Sequence, residues 1–172
     1  MNLSFRIESP EDSSGAGDSN SPGTNPDYPD IKRYSTEKVS GILEGYLAEL
    51  LPASRNYDAA EISLTFMNPD GIRDINRDYR DVDEPTDVLS FPMFEAGEIP
   101  GDIPVLMLGD IVICPEEVSR LHPELSRDEG ISLMLAHSFL HLLGYDHDTD
   151  EKQAAMWAEQ DEIARRILGV LE

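Results

Sequence analysis

The stretch that most limits how this chain can fold is SRDEGISLMLAHSFLHLLG, from Ser126 to Gly144. Ser126 with Glu129 reads as a capping box, and Gly144 suits the left-handed position that ends a helix. Between them Ile131, Leu133, Met134, Leu135, Phe139, Leu140, Leu142 and Leu143 make the helix apolar nearly all round. Such a helix belongs in the core, and any polar side chain along it needs a buried partner.

Two of its polar residues are His137 and His141. Four apart on a helix, they stack on one face and can point at a common atom. Gly144 then turns the chain, which can bring His147 back to the same point. Three of the four histidines thus fall in the HxxxHxxGxxH spacing. That pattern supplies three neutral nitrogen donors and leaves a fourth position open for water, as in a catalytic zinc site. The plainer alternative is three histidines of core and surface meeting by chance. The helix weakens it, because two imidazoles there need buried partners and a metal satisfies both at once. Zinc is favoured, although imidazole ligands also suit nickel, copper or iron. Asp146 and Asp148 are candidates to accept the outer ring N–H of a ligand histidine, with turn and cap chemistry as their alternative. His122, followed by Pro123, reads as a surface residue.

The 172 residues suit one domain, 1–172, able to bury a core without staples. No apolar run is long enough to span a bilayer, and MNLSFRIESPED lacks the basic and apolar parts of a signal peptide, so a soluble cytoplasmic protein is expected. Cys114 is the single cysteine, which excludes internal disulfides and thiolate metal clusters and reads as a small buried residue. A net charge of -22 excludes a broad basic face for nucleic acid. A polyanion would have to be met locally, by a metal ion and a few placed arginines acting inside a screening length of about 8 Å.

Residues 3–7 and 61–67 alternate as strands, and 88–91 and 106–113 read as two more, the last interrupted at Gly109-Asp110. Helices are expected from Thr36 to Leu51, capped by Ser35 and stopped by Pro52, and from Asn68-Pro69 to about Tyr79, with Ile72, Ile75 and Tyr79 inward. Pro115-Glu116-Glu117 starts a short helix, and Asp148 with Glu151 reads as a capping box opening the last one toward Leu171. Residues 9–30, rich in Ser, Gly, Pro and Asp, read as a disordered loop or linker. The fold class is α+β, or a small three-layer α/β arrangement: about four strands in a mixed sheet packed with about five helices.

The same histidine spacing occurs in metzincin proteases, where a glutamate after the first histidine is the general base. Here that residue is Ser138, which cannot take a proton as a carboxylate does. Arg73, Arg77 and Arg80 instead form a stripe on the second helix, in a chain with thirteen Lys and Arg in all. Part of that stripe is expected to be a solvated face paired with Asp70, Asp74, Asp78 and Asp81. Arg80, nearest the PTDVLSFP turn, is the one expected to meet phosphate, whose oxygens match its fork.

Three blocks carry a resemblance: Asn76 to Arg80 leading into Thr86-Asp87-Val88-Leu89-Ser90-Phe91-Pro92; Leu108-Gly109-Asp110-Ile111; and His137 to His147. On these the chain resembles the YbeY family of metal-dependent endoribonucleases, the ribosomal RNA maturation factors, over about residues 61–170. The resemblance implies one zinc ion on His137, His141 and His147, and catalytic roles for Arg80 and His137. It also implies a small cytoplasmic α+β protein that cuts single-stranded RNA in maturation of small-subunit ribosomal RNA and in ribosome quality control. Its partners would be RNA and ribosomal particles, with no DNA and no membrane. The family has glycine after the first histidine, and the hydroxymethyl of Ser138 is expected to crowd the metal or the substrate approach. Two other readings stand beside it: a ribosome-assembly binding factor with a structural metal, and a zinc peptidase using Glu129 or Glu159 as its base.

Overall fold

The structure is a computed structural model that describes residues 2–8, 30–50, 57–95, 98–101 and 103–172. The expected linker lies outside the described residues, apart from Asp30, and so do Leu51 and Pro52, the expected end of the first helix.

Four strands form one mixed sheet in the order β1-β2-β4-β3. β1 (Asn2–Glu8) and β2 (Ala59–Phe66) are parallel, as are β2 and β4 (Val105–Ile113). β3 (Val88–Pro92) runs antiparallel to β4 and forms an edge. β4 is central, and its buried residues point both ways, which is why LMLGDIVI reads as a nearly continuous apolar run rather than an alternation. The interruption expected at Gly109 is a register shift, in which Glu61 faces Met107 and Ile62 faces Gly109. Gly109 has φ 142°, and a Cβ there would collide with the Phe91 carbonyl oxygen. Only glycine lets the edge strand and Leu142 close in at this point.

On one face lie α1 (Glu37–Leu50), α4 (Arg127–Leu142) and α5 (Asp150–Leu171), packed on β-strand residues such as Ile62, Leu64, Leu108 and Ile111. On the other, α2 (Pro69–Arg80) seats Ile72 on Leu89, Val112 and Cys114. α3 (Pro115–Leu121) leads into α4. α4 is the central helix that its sequence requires, touching β3, β4, α3 and α5, and both halves of its capping box form.

Three local expectations are corrected. Thr36, not Ser35, caps α1, its Oγ1 accepting from the Val39 N–H at 3.4 Å. Thr149, not Asp148, caps α5, while Asp148 pairs with Lys152 at 2.9 Å. Tyr79 does not face inward; it is 72% exposed. Asn76 takes the inner position of that turn, donating to the Glu84 carbonyl at 2.8 Å. The last turn of α2 meets edge strand β3, where Tyr79 packs on the Phe91 ring.

Candidate metal centre and cavity

α4 delivers His137 and His141 on one face, and Gly144, at φ 88°, turns the chain so that His147 returns to them. Candidate ligand nitrogens of the three all lie within 4.8 Å of one another. The two helical imidazoles are oriented from behind. His137 Nδ1 faces Gln160 Oε1 at 2.8 Å, and His141 Nδ1 faces the Tyr145 carbonyl at 2.9 Å. Acceptors at both Nδ1 atoms hold the protons there, so both Nε2 atoms present lone pairs. Those two Nε2 atoms sit 3.0 Å apart. Facing lone pairs repel unless a cation lies between them, so this donor set fits a metal ion. Burial is the main cause that lowers the pKa of both rings, and it favours the neutral form that ligates. His147 is exposed, on a loop whose turn is fixed by its own N–H donating to Asp146 Oδ1 at 2.7 Å.

Neither Asp146 nor Asp148 orients a ligand histidine; the partners behind the rings are Gln160 and a main-chain carbonyl. Gln160 was legible only indirectly. It interrupts the stripe Met156, Ile163, Ile167 with which α5 packs, and a polar side chain buried to 9% exposure in such a stripe needs a partner. The Tyr145 carbonyl carries no side-chain signal at all.

Across from the histidines, a cavity of about 690 Å³ is bounded by Arg80, by β3 and the residues after it, and by Gly144 to His147. Arg80 donates to the Ser90 carbonyl at 3.0 Å, and its guanidinium lies 5.8 Å from the centre of the Phe91 ring. The other two arginines of the stripe are spent on ion pairs, Arg73 with Asp83 at 2.8 Å and Arg77 with Asp74 and Asp78 at 2.9 and 3.1 Å. The pairing partner of Arg73 is Asp83 rather than an aspartate of its own helix. Asp81, left-handed at φ 58°, ends α2 so that Arg80 stands at the cavity.

Ser138 does not line the cavity. It is fully buried, with no hydrogen-bond partner for Oγ among the described residues. Glu129 and Glu159 do not line the cavity either, and Glu129 is used by its capping box, accepting from Ser126 N–H at 2.7 Å. His122 is more than a surface residue: its Nε2 lies 3.0 Å from Asp87 Oδ2, and Asp87 Oδ1 takes the Val88 N–H at 2.9 Å at the start of β3. Burial pushes the Cys114 thiol up to about 12, as expected of an inert packing residue.

The family profile described as Endoribonuclease YbeY matches residues 27–168. The chain belongs to the YbeY endoribonuclease family. Endoribonuclease YbeY of Bacillus thuringiensis (strain Al Hakam) is 38% identical over 145 residues, 80% of this chain and 92% of that protein. Endoribonuclease YbeY of Bacillus cereus (strain G9842) is 40% identical over 140 residues, 74% and 88% of the two chains. The solution structure of TM1509 from Thermotoga maritima shares the fold, with TM-score 0.53 over 97% of this chain and 89% of that one at 23% identity. No helix among the described residues is long and apolar enough to cross a membrane.

Proposed function

We propose that this chain is a zinc-dependent endoribonuclease that cuts single-stranded RNA in the maturation of small-subunit ribosomal RNA and in ribosome quality control. It acts in the cytoplasm as one catalytic domain, with ribosomal RNA and ribosomal particles as partners. The observation that carries this reading is the pair of facing Nε2 atoms, 3.0 Å apart, on a cavity whose opposite wall carries Arg80.

His137, His141 and His147 hold one metal ion per chain. When bound, the ion supplies Lewis acidity toward a phosphate oxygen and acidifies water in its open position. Gln160 and the Tyr145 carbonyl keep the Nδ1 protons in place and the Nε2 lone pairs directed inward. Arg80, anchored on Ser90, directs its remaining donors at the phosphate and stabilises charge that grows on it in the transition state. Together the ion and Arg80 offset the -22 charge of the chain at the one place where a polyanion must approach.

The test is one panel: purified protein with unstructured RNA, single-stranded DNA or casein, with and without chelator, beside metal analysis. Chelator-sensitive cleavage of RNA alone, with zinc bound, supports the proposal. Equal cleavage by His137→Ala protein would overturn it, and casein cleavage would restore the peptidase reading.

A further inference from the structure

Tyr79 and Phe91 are not explained by metal holding or phosphate neutralisation. Tyr79 is an aromatic left 72% exposed in a turn of charged residues, yet it is not loose: its ring meets Phe91 at 5.3 Å and 64°. Phe91 is shared, because the Arg80 guanidinium lies over the same ring. Phe91 is held from beneath by the cluster of Ile72, Leu89, Val112 and Cys114. A large apolar ring is therefore fixed beside Arg80, the one arginine among the described residues that lines the cavity.

We infer that Tyr79 is a stacking platform for one unpaired base of the RNA, flanking the phosphate that Arg80 and the metal site engage. This rests on the endoribonuclease reading and sharpens it, since it names the side chain that reads single-strandedness. A base within a duplex already has both faces covered, whereas a splayed base can lie on an aromatic side chain. Every base offers such a face, so the platform is tolerant of sequence. Charge also favours this occupant. Arg73 and Arg77 are committed to ion pairs, with Asp83 and with Asp74 and Asp78, whereas Arg80 forms no ion pair among the described residues and is the cation of this helix left to meet a polyanion.

The experiment uses zinc-loaded full-length protein and one short unstructured RNA, with a companion set in which each base in turn is removed. Tyr79→Leu keeps an apolar contact with Phe91 but has no aromatic face, and Tyr79→Trp keeps the face. Leu should raise KM roughly 5- to 100-fold, the range lost with one base–aromatic stack, with metal content and kcat unchanged, and Trp should stay within about twofold. The wild type should lose the same factor at one abasic position, to which Tyr79→Leu is indifferent. A wild-type KM for Tyr79→Leu, or an unchanged abasic penalty in that variant, overturns the inference. A wild type that fails to cut any RNA overturns the endoribonuclease reading itself, and is seen before any substitution is made.

Discussion

The two walls of the cavity are made on opposite principles. The α4–α5 wall is largely apolar, and the Nδ1 atom of each helical imidazole is matched: His137 with Gln160, His141 with the Tyr145 carbonyl. The α2–β3 wall is an edge strand and the exposed end of a helix, with Arg80 in water and the exposed Tyr79 next to it, outside the lining. Even its proline fits that setting. The Cys114 N–H donates to the Asp87 carbonyl and the Met93 N–H to the Leu108 carbonyl, so odd-numbered residues of β3 pair with β4 and Pro92 points its missing N–H outward. Holding a cation needs fixed donors in a dry setting, whereas receiving a polymer needs open, adaptable contacts. One wall should therefore govern metal content, and the other the handling of RNA without touching the metal.

Substitutions at the centre of each wall test that division most strongly. His137→Ala should lose both zinc and RNA cleavage to background, read by metal analysis and a cleavage assay on the same sample. Arg80→Ala should lower kcat by about 10²- to 10³-fold, the cost of removing one donor to transition-state charge, with full zinc content. Arg77→Ala, one turn away and already paired with acids, should change kcat by less than about threefold. Loss of metal from Arg80→Ala protein would break the division.

The buried wall was far more legible in the sequence than the exposed one. Periodicity and the capping box located α4, and the histidine spacing located the ligands, because burial imposes a pattern on every residue of a helix. Arg80 was separable from Arg73 and Arg77 only by its place next to the turn. Tyr79 was misread as inward, since helical spacing gives direction around an axis but not where the neighbouring sheet stops. Ser138 is absent from the lining for a similar reason: adjacency to a ligand in sequence puts the next helical side chain about 100° around the axis. The partners behind the rings were out of reach, one being main chain and the other twenty-three residues away in sequence.

A smaller effect should separate orientation from ligation inside the buried wall. Gln160→Leu removes the acceptor behind His137 without removing a ligand, and should weaken zinc binding about 10- to 100-fold, measured by chelator competition. Gln160→Glu retains an acceptor oxygen and should bind zinc within that span of the wild type, nearer to it than Leu. Equal affinity for all three proteins would mean that packing of α4 alone orients His137.

The smallest expected effect is the pH dependence of the metal-free protein, and it too divides the walls. His137 and His141 have folded-state pKa values below the ordinary 6.5, burial being the first cause in each. The unfolded chain then binds protons that the folded chain resists, so their contribution is intact above about pH 6.5 and stability falls as pH drops below it. On the exposed wall the Asp83 pKa is lowered too, its carboxyl held below 3.8 chiefly by the hydrogen bond from Arg73. That contribution persists until pH falls below about 4, so the interval from about pH 7 to 5.5 lies clear of it. Denaturant midpoints of chelated protein should decline across that interval, and His141→Leu should flatten the decline. An undiminished slope in His141→Leu protein would assign the dependence to other groups and remove burial of the helical imidazoles as its cause.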